Sequence, residues 1–381
     1  MSRLYFVRKW NKSGKDMTWS GTPQGILEAL YRTVNETNKI EEISIEYSGI
    51  AGIRLKIAHL VQRLLSVDGC DVIERTIESG IVNKILQKDY DGPMLVFSEL
   101  NTGKLKDTYI YIDCSVNFAY RCQCEDVCYA KYVPFPRMRE KSLISERNDI
   151  ALEFYKNCKG IFTMGEWIAQ DLVQNTGIAQ DKVYPVGGGC NIPIELINSN
   201  AKKGKRFLFV GKDFDRKNGE LVLEAFQILN SIKQNYEPYE LYIAGPEKWP
   251  SDREIPENVH FLGLKSTREL AEYYNMCDVF VMPSKFEAYG IVFAEALIYG
   301  LPCVARDAFS MREFIHEGDN GYLLKSDSSD ELALLMKKTI EDHEMCKRVI
   351  ANRNVYLKQY SWDTVAKRIF YTMQKDGYDL S

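Results

Sequence analysis

Residues 277–305 read CDVFVMPSKFEAYGIVFAEALIYGLPCVA, and their order decides the fold. Asp278 to Met282 is short and apolar enough for a buried strand, Pro283 and Ser284 interrupt it, and Gly290 to Tyr299 has the length and apolar content of a helix. The stretch predicts strand, loop, helix. One carboxylate, Glu287, falls on the loop and another, Glu295, on the helix. In helical geometry their separation spans about 12 Å along the axis, with the two side chains about 80° apart around it. They cannot stack as a pair on one helix surface, but one extended ligand could touch both. The backbone N–H groups of Ala288, Tyr289, Gly290 and Ile291, with the positive end of the helix, suit an anion such as a diphosphate.

The same unit occurs upstream. Arg206 to Val210 reads as a strand, GKDFDRKNGE follows at 211–220, and an amphipathic helix runs from Leu221 to Lys233. Lys212, Arg216 and Lys217 set cations beside that helix N-terminus, either for a diphosphate or as a solvated basic turn. Glu240 to Gly245 and Asn258 to Leu264 (NVHFLGL) read as strands, and Ser266 to Met276 as a helix. Beyond the central stretch, Asn320-Gly321 is a turn signal, and Ser329 to Asp342, Glu344 to Lys358 and Trp362 to Gln374 are amphipathic.

Toward the N-terminus the alternation is looser. Leu4 to Arg8 is a strand, and TWSGTPQGILEALYRTVNE (18–36) gives a turn and a helix with Thr22 and Pro23 at its start. Ser20, Gly21 and Thr22 lie where an open α/β sheet places ligand contacts, although a plain N-cap is the competing reading. Ile43 to Tyr47, Met94 to Ser98 and Thr108 to Ile112 are strands. Asp113, at the end of the last, either projects toward a ligand or caps the next segment. A helix from Ser145 to Cys158, a strand from Gly160 to Met164, a helix ending at Gly177 and a strand from Asp181 to Tyr184 follow. PVGGGCNIP (185–193) lacks the G-x-G-x-x-G spacing of a dinucleotide fingerprint, which argues against an NAD enzyme. Ile192 to Gly204 is polar and reads as a linker. Two successive strand–helix alternations predict an α/β chain of two open-sheet domains.

The 381 residues suffice for both, and 45% hydrophobic with 27% charged is an ordinary globular balance. A net charge of −4 argues against a general nucleic-acid binder. The N-terminal MSRLYFVRKWNKSGK has no apolar core, so no secretory signal is expected there, and no run is long enough to span a bilayer. Ten cysteines without a signal suggest a reducing cytoplasm and free thiols. Cys114, Cys122, Cys124 and Cys128 match no paired zinc spacing, have no histidine nearby, and read as small buried residues and a Cys-rich loop. GIRLKIAHLVQRLLSV (52–67), a helix carrying Arg54, Lys56 and Arg63, either packs on the sheet or lies on an anionic membrane surface, as the mixed VPFPRMREK (133–141) would also suit.

Glu287 and Glu295 in SKFEAYGIVFAEA, followed by YGLPCVA, resemble the donor-site signature of retaining glycosyltransferases with the GT-B fold, in the glycogen-synthase-like and mannosyltransferase-like superfamily (family 4 type, glycosyl transferases group 1). That resemblance is specific over 206–325 and looser before 190. It implies two Rossmann-like domains facing across a cleft, an acceptor-side domain at 1–191 joined by a returning helix at 360–381, and a donor domain at 205–359. It implies that Glu287 contacts the donor sugar, Glu295 the ribose, and Gly263 and Leu264 the nucleobase through their backbone. Lys212, Arg216 and Lys217 would neutralise the diphosphate, although the family more often has arginine at 212 and no residue between Lys217 and the glycine at 219; a lysine supplies charge without a bidentate fork. Gly21 would line the cleft, and Asp113 would face the acceptor. The expected reaction is transfer of a hexosyl group, with retention, from a UDP- or GDP-linked sugar to a glycan, lipid-linked or other glycoconjugate acceptor. No metal, organic cofactor or nucleic acid is expected, and the cytoplasm or inner membrane face is the expected location. Two other readings stay open: a donor-binding partner or chaperone subunit without catalysis, and a phosphorylase-like or hydrolysing enzyme on the same scaffold.

Overall fold

A computed structural model describes the chain except residues 1, 11–13, 15–17, 35–38, 48, 66–69, 87–89, 101–104, 126, 134–140, 199–204, 232–237, 253 and 381. At residues 51, 62–65, 70–72 and 141–143 only the backbone is described. The chain divides into two units, residues 1–189 with 362–381, and residues 190–361.

In the first unit, β1 (Leu4–Arg8), β2 (Ile40–Ser44), β3 (Met94–Val96), β4 (Thr108–Ile112), β5 (Gly160–Thr163) and β6 (Val183–Pro185) form one sheet in the order β2-β1-β3-β4-β5-β6. Every described pairing is parallel. The central strands are buried on both faces, which is why MLV and TYIYI read as unbroken apolar runs. The helices are α1 (Thr22–Thr33), α2 (Gly49–Leu65), α3 (Cys70–Ile85), α4 (Val116–Cys124), α5 (Lys141–Asn157), α6 (Glu166–Thr176) and, from the end of the chain, α14 (Trp362–Lys375). α14 is fitted into this unit by size. A Cβ on Gly25 of α1 would stand 2.3 Å from the Trp362 indole nitrogen, so only glycine admits that ring. Arg32 and Asp363 pair at 2.7 Å beside it.

In the second unit, β7 (Arg206–Val210), β8 (Glu240–Ala244), β9 (Val259–Gly263), β10 (Val279–Met282), β11 (Cys303–Arg306) and β12 (Gly321–Leu324) form a second parallel sheet, ordered β12-β11-β10-β7-β8-β9. Around it lie α7 (Gly219–Ser231), α8 (Thr267–Met276), α9 (Ile291–Ile298), α10 (Met311–Phe314), α11 (Ser329–Glu341), α12 (His343–Ala351) and α13 (Arg353–Gln359). The strand order runs outward in opposite directions from β7 and β10. In an open α/β sheet the crevice at the carboxyl ends of two such strands is where ligands bind.

Several boundaries differ from the sequence reading. β2 starts at Ile40 and not Ile43, because its five residues pair in register with all of β1. As the edge strand it tolerates Glu41 and Glu42, which disguise it locally. α3 was not foreseen, since it carries Gly80 in a polar sequence and gains its place by burying Val82 and Glu78. β11 and β12 are short strands that no alternation marks. The Asn320-Gly321 turn leads directly into β12, with the Asn320 side chain accepting from His316 N and donating to Phe314 O. Glu344 to Lys358 is two helices, broken at Asn352.

Candidate functional site

β7 and β10 end side by side, and each is followed by a connection into a helix. The two connections are tied together. Lys285 N donates to Arg216 O (2.8 Å), Arg216 Nη1 donates to Phe286 O (2.9 Å), and Lys285 pairs with Asp215 at 2.6 Å. The approach brings three predicted residues to one point. Glu287 Oε1 accepts from Lys217 Nζ at 2.5 Å and from Arg216 Nη1 at 2.8 Å.

Glu287 and Lys217 are both buried. Burial by itself raises a carboxyl pKa, but the two cations outweigh it and hold Glu287 below the ordinary carboxylate range. Burial, with Arg216 alongside, lowers the Lys217 ammonium despite its carboxylate partner. Two cations share one buried carboxylate, and a further acid, the solvent-exposed Asp213, lies 3.5 Å from Arg216 Nε.

The helix that follows begins at Ile291 and not Gly290. Gly290 sits in the left-handed region (φ 86°) as the residue before the first turn, a conformation other residues adopt at a cost. The 283–290 segment is therefore not helical, and the 12 Å and 80° expected from ideal helix geometry do not describe the Glu287–Glu295 relation. Ser310, buried and unforeseen, anchors the segment by donating to Tyr289 O and lying 3.2 Å from Glu287 O. Nothing in RDAFSMREFI marks that serine, since its partners lie on another connection.

Glu295 is inside α9 and buried, with Tyr274 of α8 donating to its Oε2 at 3.1 Å. Tyr274 also stacks on Tyr299, ring centroids 5.1 Å apart. Burial raises the Glu295 pKa to about 7, opposed by the Tyr274 hydrogen bond and by Lys217. The two glutamates are thus pushed in opposite directions, because two directly bound cations outweigh burial at Glu287 while burial prevails at Glu295. Lys212 is exposed on the β7–α7 connection and, among the described residues, has no carboxylate within 4 Å. Ala288, Tyr289 and Ile291 flank the α9 N-terminus. Gly263 ends β9 with φ 70°, its carbonyl taken by Gly245 N, and Leu264 beside it is half exposed.

Gly21 and Asp113 belong to the first unit. Gly21 precedes α1 with φ 78° and no side-chain cap, following Trp19 and Ser20, which are also left-handed (φ 44° and 54°). Thr22 is the first residue of the helix and not its cap. Trp19 and Ser20 in that region store strain, which Trp19 meets by donating from Nε1 to Asp113 Oδ2 (3.2 Å) and packing edge-on against Tyr111. Asp113 does not cap α4, because Ser115 does, accepting from Phe118 N. A cavity of about 1040 Å³ opens here, at the carboxyl ends of β1, β2, β3 and β4. Cys114 and Cys122 are buried, and Cys124 and Cys128 exposed.

Residues 194–354 match the family described as glycosyl transferases group 1. An uncharacterised 41.2 kDa protein of the cps region of Klebsiella pneumoniae is 30% identical over 47% of this chain and 53% of its own length. A phosphatidyl-myo-inositol mannosyltransferase of Mycobacterium leprae is 28% identical over 44% and 45% respectively. These matches span about half of each relative. Among solved structures, WaaG, a glycosyltransferase involved in lipopolysaccharide biosynthesis, superimposes over 97% of this chain and 99% of its own with a TM-score of 0.61 at 15% identity, a likeness of fold. Residues 194–354 thus resemble the glycosyl transferases group 1 family, in a chain built as the two Rossmann-like units of the GT-B fold.

Proposed function

We propose that the protein is a glycosyltransferase that moves a hexosyl group, with retention at the anomeric carbon, from a UDP- or GDP-linked sugar to a glycan or lipid-linked acceptor. The observation that carries this reading is the gathering of two cations, Lys217 and Arg216, on Glu287 beside the α9 N-terminus. A departing nucleoside diphosphate needs that: fixed cations and oriented N–H groups where negative charge develops. Lys217 and Arg216 hold the diphosphate with Lys212 at the exposed side, and the backbone from Ala288 to Ile291 completes the cradle. Glu287, released from its share of the two cations, accepts from hydroxyls of the transferred sugar. Glu295 accepts from the ribose, and the backbone of Gly263 and Leu264 meets the base. Gly21 and Asp113 serve the acceptor side. Two cations and a helix terminus supply the charge stabilisation, so neither metal nor organic cofactor enters the proposal.

Melting-temperature shifts with UDP, GDP and their sugars test it, followed by NMR of the product's anomeric carbon in reactions run with EDTA. One nucleotide is expected to raise the melting temperature by an amount set by its affinity, and its sugar to be transferred with retention. Stabilisation by no nucleoside diphosphate would remove the donor site, and an inverted product would remove retention.

The acceptor side also supports contact with a membrane surface. Along α2, Ile50, Ile53, Ile57, Leu60 and Val61 are all exposed, at helical spacing, with Arg54 and Lys56 exposed among them. Leu55 is the residue of this stretch that is buried in the unit. The other basic stretch, at 133–141, lies almost wholly outside the described residues. No described helix is long and apolar enough to cross a membrane. Co-sedimentation with vesicles rich in phosphatidylglycerol is expected to exceed that with phosphatidylcholine alone, and the double variant Ile53→Asp/Ile57→Asp to lose the difference. Equal sedimentation of wild type and variant would remove α2 from the interaction.

A further inference from the structure

The cavity of the first unit contains a cation, Arg8, that has no carboxylate within 4 Å among the described residues. Arg8 is the last residue of β1, at the sheet edge where ligands of open α/β folds bind. Its side chain is half-buried, and its Nε is shielded from solvent with no hydrogen-bond partner. Its contacts are a long Nη1–Phe97 O approach of 3.5 Å and the Phe97 ring, 5.5 Å from the guanidinium carbon.

Acids are near, but other groups hold them. Glu74 pairs with Lys9, and Glu78 with Arg75 at 2.9 Å, while Tyr47 donates to both. Glu99 is taken by Arg147 (2.7 Å) and Tyr155 (2.6 Å). Among the described residues none has a carboxylate within 4 Å of Arg8. Burial and the neighbouring Arg75 lower the Arg8 pKa to about 10, opposed by the Glu78 carboxylate. A guanidinium whose buried Nε has no hydrogen-bond partner is costly to a fold and gives the protein little unless something occupies its fork. The cavity is large enough for more than one sugar ring, and Trp10, Trp19 and Tyr111 give it aromatic walls. Asp113 follows β4, two strands from β1, roughly 10 Å away across the sheet.

We propose that Arg8 is an anion-recognition residue of this cavity, and that the acceptor carries an oxyanion, a carboxylate or phosphate, about one sugar ring from the hydroxyl that Asp113 faces. The inference rests on the reading of the first unit as the acceptor side. A guanidinium engages either oxyanion through two parallel hydrogen bonds, a geometry that lysine does not reproduce. Glu46, exposed at the cavity mouth, stays solvated.

The test titrates wild-type protein, Arg8→Lys and Arg8→Gln with methyl glucuronoside, glucose 1-phosphate, inorganic phosphate and neutral methyl glucoside, following the arginine Nε–H resonances by NMR. Wild type is expected to bind at least one charged sugar roughly tenfold or more tightly than the neutral one, as charge-assisted hydrogen bonds allow. A resonance absent from Arg8→Gln should move on binding. Arg8→Gln should bind charged and neutral sugars alike, with Arg8→Lys between the two. Preference for the glucuronoside identifies a carboxylate, and preference for the sugar phosphate, with inorganic phosphate competing, identifies a phosphate. Equal binding of charged and neutral sugars by wild type, or an undiminished preference in Arg8→Gln, overturns the proposal while leaving the acceptor reading in place. Binding of no sugar sinks both. The melting temperature of Arg8→Gln without ligand should match or exceed that of wild type, because an unpaired charge has been removed; a clear fall would make Arg8 a structural residue and overturn the assignment.

Discussion

Lys217→Met is expected to lower the transfer rate by about 10²- to 10³-fold while leaving the melting temperature close to that of wild type. Methionine approximates the length of the lysine stem, so the packing beside Glu287 is retained and the charge is lost. What remains is a neutral Glu287–Arg216 pair, 2.8 Å apart. The fold loses little, because Arg216 still pairs with the carboxylate and burial opposed the charged form of Lys217. The reaction loses much, because a group aimed at developing charge in a site shielded from water is worth several kcal/mol. Steady-state kinetics with saturating donor, read beside thermal melting, separates the two. An unchanged kcat would end the leaving-group role. A large fall in melting temperature would show that Lys217 acts chiefly in the fold.

Glu295→Gln is expected to make the ligand-free protein more stable than wild type at pH 8, by up to about 3 kcal/mol, with the difference closing near pH 4.5. The sign follows from the proton. Burial raises the carboxyl from its ordinary 4.5 to about 7, so between those values the folded state holds a proton that the unfolded chain releases. Its contribution is therefore full below about pH 4.5 and is lost as pH rises through about 7. A rise from 4.5 to about 7 corresponds to roughly 3 kcal/mol. Glutamine cannot ionise and still accepts from Tyr274. Donor binding should reverse the preference, since ribose hydroxyls favour the carboxylate. Nucleotide binding near pH 6 should then release a proton in wild type and not in Glu295→Gln, as calorimetry in buffers of different ionisation enthalpy would read. Parallel stability curves for the two proteins from pH 5 to 8 would refute the perturbed carboxyl.

How much of this was legible in the chain varied by element. MLV, TYIYI and RFLFV announce central parallel strands because both faces are buried and no polar residue interrupts them. β2 hid its start behind Glu41 and Glu42, which an edge strand tolerates, and α3 hid behind Gly80 and its acids. β11 and β12 are too short for a period to register, and only pairing with β10 and with each other defines them. In the candidate site, residue types and loop positions were readable from spacing. Ser310 and Tyr274 were not, because a serine under one loop and a phenol on a neighbouring helix have no local signature.

The order of strands, loops and helices, and hence the α/β class and the chain positions of Glu287, Glu295, Arg216 and Lys217, followed from sequence alone, since backbone preference and apolar runs are local properties. Which charges meet did not. That Glu287 hydrogen-bonds to two cations while Glu295 hydrogen-bonds to a phenol, and that among the described residues Arg8 has no carboxylate within 4 Å, was decided by strand order and by the connections it brings together. Charge interactions depend on distance and burial, and both are set by residues about 70 positions apart, as Lys217 and Glu287 are.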